Sequence, residues 1–294
     1  MGDGAAVTQL EIDQRVYDLY DEYCHGRMDR REFLVRATAI GGLAMAQALF
    51  PRYALAQTIS FTDPRIKANY VTYPSPGGSS GQMKGYLVQP TAGGKFPTVL
   101  VIHENRGLNP YIEDVARRLA VEGYLALAPD GLFPAGGYPG NDDDGRELQA
   151  KLDPTRLRTD MFNSALYVKG HRLSNGKLGV TGFCWGGGAT NYLATMLGPQ
   201  MQAGVPYYGA APDTAMVAKI KAALLIQYAE NDPRTNDMWP AFETALKANH
   251  VSYEMHRYPG TQHGFHNNST PRYNEAAAKL SWERTLAFFR KRLA

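Results

Sequence analysis

The segment Gly182–Gly186 has the sequence GFCWG, in which a cysteine stands between two glycines. Residues 177–181 before it are short and apolar enough for a buried strand, and residues 187–194 after it can form a helix packed closely against a sheet. A nucleophile on a sharp turn between a strand and a helix needs flanking positions with almost no side chain. The spacing therefore predicts that Cys184 is a nucleophile, whose thiolate the positive end of the helix would stabilise.

A nucleophilic cysteine needs an acid and a base, whereas a lone buried cysteine that only fills space needs neither. The apolar segment 222–229 predicts a strand, and the turn after it contains Asp232. In folds with this kind of nucleophile turn, the acid follows the nucleophile in the chain and lies on a loop at the carboxyl edge of the sheet. Asp232 fits that position, with Glu230 and Asp237 as neighbouring alternatives.

His263 is the candidate base, because it lies in a turn-rich loop between the predicted strand 253–257 and the final predicted helix. It completes the chain order nucleophile, acid, base that α/β-hydrolases show. A metal pair of His263 and His266 is the alternative, but no third ligand lies at zinc spacing and Cys24 is remote in the sequence. We therefore expect neither a metal nor another cofactor.

The segment 174–188 around the cysteine resembles the nucleophile segment of the dienelactone hydrolase family, whose members are cysteine-dependent α/β-hydrolases. Three further segments, 103–109, 207–209 and 263–265, are similar to the family as well. The resemblance extends from about residue 85 to the C-terminus. It implies the fold of these enzymes and their hydrolytic activity.

The resemblance also implies roles for individual residues. It implies a catalytic triad of Cys184, His263 and Asp232. The family has a glutamate that interacts with the thiol in the resting enzyme and is displaced when substrate binds, and Glu104 matches it. The alternative for Glu104 is an ordinary carboxylate on the surface or around the site, since a motif does not determine where a side chain points.

These residue types predict the cleavage of a small carboxylic ester or lactone through a thioester acyl-enzyme. The thiolate of Cys184 would attack the carbonyl carbon, and His263 would protonate the leaving alkoxide and later activate water. Asp232 would orient the imidazole and stabilise its protonated form. The backbone N–H groups of Asn105 and Trp185 would bind the oxyanion of the tetrahedral intermediate.

The residue at position 267 bears on the charge of the substrate. In the dienelactone hydrolases proper, an arginine at the matching position holds a substrate carboxylate, so that the neutral Asn267 favours uncharged esters or lactones. Arg146 and Arg106 are the cations that could take over this role. The residues expected to contact the substrate are Tyr138, Arg146, Trp185, Tyr207 and Tyr208.

The elements that must position these residues alternate between apolar strands and amphipathic helices. This alternation predicts an α/β-hydrolase fold with a mostly parallel central sheet and helices on both faces. The chain has 294 residues, 44% of them hydrophobic, and we assign one such domain to residues 57–294. Residues 70–89 predict an opening antiparallel hairpin, and residues 130–153 predict an excursion over the active-site face.

Composition and charge argue against other classes of protein. The net charge is +3, with 31 Lys and Arg residues dispersed among 28 Asp and Glu residues, which argues against nucleic acid binding. No apolar stretch reaches the roughly 20 residues of a membrane-spanning helix. A serine esterase would need serine in place of Cys184, and a thiol redox enzyme would need a C-x-x-C pair. The alternative that shares the fold is a catalytically silent binding protein, and no oligomeric state is indicated.

The N-terminal segment 1–56 is the second informative region. Arg30 and Arg31, followed by a moderately apolar stretch and the small-residue site Ala54–Ala56, are typical of a twin-arginine signal. This pattern predicts export to the periplasm through the Tat translocon, with cleavage before Gln57. The residues before the arginine pair are polar, partly helical in pattern and longer than an ordinary leader. The alternative is a cytoplasmic protein that retains this segment as a helical pair packed on the domain.

Overall fold

The structure is a computed structural model that describes residues 13–24, 28–48 and 57–294. Eight strands form one sheet in this part of the chain. The strands are β1 Ile66–Ser75, β2 Gly81–Pro90, β3 Phe96–Ile102, β4 Leu125–Pro129, β5 Ser174–Phe183, β6 Ala203–Tyr207, β7 Ala223–Asn231 and β8 Tyr253–Gln262. The α-helices are α1 Gln14–Cys24, α2 Arg30–Ala48, α3 Pro110–Val121, α4 Asp142–Ala150, α5 Pro154–Lys169, α6 Trp185–Leu197, α7 Pro233–Asn236, α8 Trp239–Ala248 and α9 Glu275–Leu293.

The strands follow one another across the sheet in the order β1-β2-β4-β3-β5-β6-β7-β8. β2 pairs with β1 and with β4 in antiparallel orientation, and all remaining neighbours pair in parallel. This mostly parallel sheet confirms the α/β-hydrolase fold. The opening hairpin expected at residues 70–89 is confirmed too, since β1 and β2 are paired along their whole length.

β5, which leads into the cysteine turn, lies in the centre of the parallel part of the sheet. Its residue Gly182 is paired with Ile102 of β3, and Phe183 is paired with Tyr207 of β6. Parallel strands end at the same edge of a sheet, where such folds bind their ligands. The cysteine turn and the loops after β3, β6, β7 and β8 therefore come together at one edge.

Helices cover both faces of the sheet, as expected. In β3, Val99 and Val101 belong to the apolar cluster that contains residues of α3 and α9, whereas Leu100 and Ile102 belong to the cluster that contains residues of α5 and α6. All four side chains are fully buried. A continuous apolar strand of this kind is typical of a parallel sheet shielded from water on both faces.

The excursion at residues 130–153 is partly helical, because it contains α4. The acidic run 142–144 lies in the first turn of this helix, and the Asn141 side chain accepts a hydrogen bond from Asp144 N over 2.9 Å. An asparagine cap and carboxylates in the first turn stabilise the N-terminus of a helix. This short capped helix was not predicted, because the segment is rich in Gly, Pro and Asp.

The helices α1 and α2 pack against each other through an apolar cluster of their own. Tyr20 and Tyr23 of α1 both contact Phe33 of α2, with ring centroids 5.6 and 5.2 Å apart, respectively. α2 is broken at Gly42, whose φ is 82°. The two helices therefore form a pair, which we call the N-terminal helical pair.

The twin-arginine motif coincides with the start of α2. Arg30 forms a 2.8 Å ion pair with Asp143 of α4, so that the motif contacts the hydrolase domain. The small-residue site Ala54–Ala56 lies outside the described residues. Among the helices that the structure describes, none is long and apolar enough to cross a membrane.

Candidate active site

Cys184 lies at the turn between β5 and α6 in a backbone conformation that few residues other than glycine adopt. Its φ is 56°. A Cβ atom on Gly182 would lie 2.2 Å from the carbonyl oxygen of Gly186, and one on Gly186 would lie 2.3 Å from that of Ile102. Both contacts are sterically forbidden, so that the two flanking positions accept only glycine. The strained turn that the GFCWG spacing predicts is therefore present, with the cysteine largely buried at its tip.

His263 and Asp232 form a buried hydrogen-bonded pair at the same edge of the sheet. His263 Nδ1 donates to Asp232 Oδ2 over 2.7 Å, and only 5% and 1% of the two side chains is exposed. The Thr235 hydroxyl donates to the same carboxylate oxygen over 2.5 Å. Asp232 directly follows β7 and His263 directly follows β8, so that strand ends hold both backbones. The alternative acids Glu230 and Asp237 are exposed to solvent.

The charges of this pair stabilise each other against the effect of burial. Burial opposes protonation of His263, but Asp232 and Cys184 outweigh it and raise the pKa of the imidazole from 6.5 to about 9. Burial also opposes ionisation of Asp232, but His263 and Thr235 outweigh it and lower the pKa of the carboxyl. At neutral pH the pair is therefore an imidazolium and a carboxylate.

Glu104 follows β3 and is almost completely buried, with 2% of its surface exposed. Asn267 Nδ2 donates to Glu104 Oε2 over 2.9 Å. Burial raises the pKa of Glu104, while Arg106 opposes this shift and Cys184 adds to it. The electrostatic effect of Cys184 puts the glutamate near the thiol, and its burial excludes a surface carboxylate.

His103, which was not expected to take part in the site, supports the loop that carries Asn105. Its Nδ1 donates to the carbonyl oxygen of Glu104 over 2.5 Å, and its Nε2 accepts from Gly131 N over 3.1 Å. Burial lowers the pKa of His103 to about 4, so that the ring is neutral and can make both bonds. The ring also stacks on Trp185, with centroids 5.5 Å apart. A polar residue at the end of a buried strand needs hydrogen-bond partners. The position of His103 directly after β3 could therefore have indicated its role.

A cavity of about 460 Å³ opens at Cys184. We call it the Cys184 cavity. Asn105 and Trp185, the residues expected to bind the oxyanion, both border it. Its lining includes Asn105, Arg158, Cys184, Trp185, Tyr208 and Arg234.

The consecutive residues Tyr207 and Tyr208 lie on different sides of the sheet edge. Tyr208 lines the Cys184 cavity, with its ring centroid 5.0 Å from that of His263. Its hydroxyl is buried without a hydrogen-bond partner among the described residues. Tyr207 instead hydrogen-bonds to Thr285 Oγ1 over 2.7 Å, in the core beneath α9. Tyr207 is therefore not part of the cavity. It is the last residue of β6, whereas Tyr208 lies beyond the strand in a turn with a φ of 37°.

Tyr138 and Arg146, which were expected to contact the substrate, do not line the Cys184 cavity. Tyr138 donates to Asp142 Oδ1 over 2.9 Å. Arg146 lies over the ring of Tyr23, with its guanidinium carbon 3.9 Å from the centroid. Arg106, the other candidate cation, forms a buried 2.7 Å ion pair with Asp142. The acidic start of α4 and the aromatic face of α1 hold these side chains away from the cavity.

Arg234 and Arg158 bring positive charge to the Cys184 cavity, and neither was expected from the sequence. Arg234 lies two residues after Asp232, with Nη2 3.4 Å from both ring nitrogens of His263. Arg158 projects from α5 beside Tyr192, with its guanidinium carbon 5.2 Å from the ring centroid. The short distance in sequence to Asp232 could have indicated Arg234, but no sequence pattern connects α5 with the cysteine turn.

His266, the other residue of the alternative metal pair with His263, faces the apolar core. Its Nδ1 hydrogen-bonds to the Tyr111 hydroxyl over 2.7 Å, and its ring stacks on Phe183 with centroids 5.3 Å apart. Within the described part of the chain, no group of three or more His, Cys, Asp or Glu side chains could hold a metal ion.

Family models match two parts of the chain. The model described as the dienelactone hydrolase family matches residues 83–293, and a model described as YqhI-like matches residues 6–42. The "Putative carboxymethylenebutenolidase" of Synechocystis sp. is 33% identical over 250 residues, which are 78% of this chain and 98% of that protein. The "Putative hydrolase fragment YghX" of Escherichia coli is 65% identical over 114 residues, which are 38% of this chain and 97% of the fragment.

Solved structures agree with these matches. The crystal structure of a "Putative Dienelactone Hydrolase" from Klebsiella pneumoniae has a TM-score of 0.66 and 30% sequence identity, and it covers 77% of this chain and 99% of that chain. The family model spans most of the sequence and includes every residue of the cysteine turn and of the His263–Asp232 pair. The chain therefore belongs to the dienelactone hydrolase family.

Proposed function

We propose that this hydrolase cleaves carboxylic esters or lactones with Cys184 as the nucleophile, His263 as the acid and base, and Asp232 as the orienting group. The observation that carries the proposal is the buried His263–Asp232 pair, joined over 2.7 Å at the same sheet edge as a cysteine on a strained turn. His263 uses Nδ1 for Asp232, which leaves Nε2 for Cys184 and the substrate. This division of the two ring nitrogens is what proton exchange with a nucleophile requires.

In the acylation step, the thiolate of Cys184 forms a bond with the carbonyl carbon, and the π electrons of the carbonyl group move to its oxygen. The backbone N–H groups of Asn105 and Trp185 stabilise the resulting negative charge, and both residues border the Cys184 cavity. The intermediate collapses as His263 transfers its proton to the leaving oxygen, which departs as an alcohol. A thioester between Cys184 and the acyl group remains.

In the deacylation step, neutral His263 removes a proton from water, and the water oxygen attacks the thioester carbonyl. The second intermediate expels Cys184 as a thiolate and releases the carboxylic acid, which restores the starting charges. Asp232 remains ionised during both steps, in keeping with the lowered pKa of its carboxyl, and stabilises each imidazolium.

Glu104 is the fourth group of the proposed site. It is close enough to Cys184 that a negative charge on one group makes a negative charge on the other less favourable. We assign to it the role of interacting with the thiol in the resting enzyme and of moving aside when substrate enters. The hydrogen bond from Asn267 to Oε2 defines its resting position.

The lining of the Cys184 cavity favours a substrate with a negative charge. The expectation of uncharged substrates rested on Asn267, but this amide bonds to Glu104 and does not line the cavity. Arg158 and Arg234 both line it, against one exposed carboxylate, that of Asp213. We therefore propose an ester or lactone that carries a carboxylate, for which a guanidinium forms strong charge-assisted hydrogen bonds.

A catalytically silent binding protein would share the fold and the cavity, and a burst experiment separates it from a hydrolase. An activated aryl ester should release close to one equivalent of phenol per chain in a rapid first phase, and mass spectrometry should find the acyl group on Cys184. Prior treatment with iodoacetamide should abolish the burst. A folded protein that shows neither a burst nor an acylated cysteine would be the silent binding protein.

A further inference from the structure

α1 is packed against both ends of the loop that carries His263. At the start of the loop, the side chains of Gln14 and Gln262 exchange two hydrogen bonds, over 3.1 and 2.5 Å, and Gln262 immediately precedes His263. At the end of the loop, the Tyr17 hydroxyl donates to the carbonyl oxygen of Pro271 over 3.4 Å. The helix therefore contacts the loop on either side of the histidine.

Arg272 connects α1 with the backbone next to the histidine, and we call residues 262–272 the histidine loop. The ring of Tyr20 lies 4.8 Å from the guanidinium carbon of Arg272, and both side chains are buried. On the loop side, a Cβ atom on Gly264 would approach Arg272 Nη2 to 3.0 Å. The guanidinium thus fills the space between the aromatic ring and this left-handed turn, whose φ is 89°. Cation–π contacts are strongest when they are desolvated in this way.

α1 also forms one wall of a second cavity, of about 290 Å³, whose opposite wall contains His263 and Asp232. Tyr17 and Glu22 are among the residues on the helix side. Cys184 is not part of this lining. The helix therefore lines a side of the His263–Asp232 pair that lies apart from the Cys184 cavity.

The C-terminal part of α1 is joined to α4. The Tyr23 hydroxyl donates to Asp143, and Arg146 lies over the same ring at 3.9 Å. α4 packs in turn on the loop after β3, where a Cβ atom on Gly145 would lie 2.3 Å from the carbonyl oxygen of Arg106. α1 thus contacts the histidine loop and also the helix that supports the loop after β3.

We propose that the N-terminal helical pair is a resident part of the active site, in which α1 holds the histidine loop where His263 meets both Asp232 and Cys184. This inference rests on the function proposed above. Gln14 and Tyr20 are then positioning residues, which act on the base through the loop. α1 has 11 residues, fewer than the roughly 12–15 that an isolated helix needs in water, so that its order depends on this packing.

This role conflicts with removal of the segment as a signal peptide. Cleavage before Gln57 would remove both helices and, with them, the α1 wall of the second cavity. The histidine loop would lose its contacts at Gln262 and Arg272. The active form of the protein therefore keeps residues 13–48.

The test compares full-length variants in turnover of an activated aryl ester. Tyr20→Leu removes the ring that faces Arg272, whereas Tyr20→Phe keeps it. Gln14→Ala removes the hydrogen bonds to Gln262 from an exposed position, and Val35→Ala, at an exposed position of α2, is the control. For Tyr20→Leu we expect kcat to fall about tenfold to a hundredfold with KM within about twofold, because a displaced base affects the chemical step more than substrate binding.

The remaining variants should have smaller effects on kcat, and the alkylation of Cys184 gives a second measurement. Gln14→Ala should lower kcat by about threefold to tenfold, as expected for neutral hydrogen bonds, whereas Tyr20→Phe and Val35→Ala should stay within about twofold. The rate of Cys184 alkylation by iodoacetamide as a function of pH reports the interaction of Cys184 with His263 without any turnover. Its apparent pKa should shift in Tyr20→Leu and Gln14→Ala and remain unchanged in the two controls.

Circular dichroism checks that Tyr20→Leu and Gln14→Ala are folded. The role of α1 would be overturned if both folded variants kept the kcat and the alkylation profile of the wild type. If Tyr20→Leu does not fold, Gln14→Ala decides alone. Turnover that persists in Cys184→Ala would overturn the proposed function instead. The alkylation profiles would then still decide whether α1 acts on His263.

Discussion

Asn267 donates a 2.9 Å hydrogen bond to Glu104, which explains an amide at this position in terms of the resting site. The carbonyl oxygen of the same amide accepts from the backbone N–H and the hydroxyl of Ser269, over 3.0 and 2.6 Å. The NH₂ group of the amide thus donates to the carboxylate while its oxygen accepts from the neighbouring turn. Asn267 therefore connects the histidine loop with the glutamate near Cys184.

Cys184→Ala should abolish ester turnover and covalent labelling while leaving the fold intact, because the change removes only a sulfur atom from a small side chain. Loss of one member of a catalytic triad lowers kcat by about three orders of magnitude or more. Steady-state kinetics and mass spectrometry of the acylated protein provide the measurement. Turnover above about one part in a thousand of the wild type would exclude Cys184 as the nucleophile.

His263→Ala and Asp232→Asn should each lower kcat by about a thousandfold or more. Groups that act as a unit are not additive, so that either change combined with Cys184→Ala should add little to the effect of Cys184→Ala alone. Glu230→Gln and Asp237→Asn are the matched controls, since both carboxylates are exposed, and they should stay within about threefold of the wild type. A silent Asp232→Asn together with a damaging control would show that the acid is one of these neighbours.

The raised pKa of His263 predicts a loss of stability at alkaline pH. The imidazole stays protonated up to about pH 9 in the folded protein but only up to about pH 6.5 once unfolded. Its contribution is therefore fully present below about pH 6.5 and is lost as the pH rises through about 9. We expect the urea midpoint of the wild type to fall over this range more steeply than that of His263→Gln, at constant ionic strength. Parallel curves would contradict the shift.

Arg158→Gln and Arg234→Gln should lower kcat/KM for an aryl hemiester that carries a carboxylate by about tenfold or more, because each removes a charged hydrogen-bond donor from the Cys184 cavity. For Arg158→Gln, the matching neutral aryl ester should change by less than about threefold. Arg156→Gln, on the exposed surface of the same helix, is the control. Equal losses for both esters in Arg158→Gln would mean that the cavity does not select for charge.

The N-terminal helical pair should be present in the active protein, whichever compartment holds it. Cell fractionation followed by N-terminal sequencing should find that the species with esterase activity keeps residues 13–48. If the twin-arginine motif directs export, Arg30→Lys combined with Arg31→Lys should shift the protein from the periplasmic to the cytoplasmic fraction. A fully active species that begins near Gln57 would contradict the role of α1 in the site.

The sequence by itself determined the features that depend on local sterics and local hydrophobic patterns. The GFCWG spacing predicts the strained turn because only glycine fits at Gly182 and Gly186. Apolar strands that alternate with amphipathic helices predict a parallel sheet, and such strands end at one edge. The chain order of Cys184, Asp232 and His263 was therefore enough to predict that they lie close together.

Tertiary structure decided which side chains share the cavity and what surrounds the base. Only the turn that follows β6 in the folded protein shows that Tyr208 lines the cavity while Tyr207 packs under α9. Arg158 reaches the cavity from a helix that precedes the cysteine strand. Gln14 meets Gln262 across 248 residues of sequence. No local pattern encodes such contacts, because the folded path of the whole chain brings their partners together.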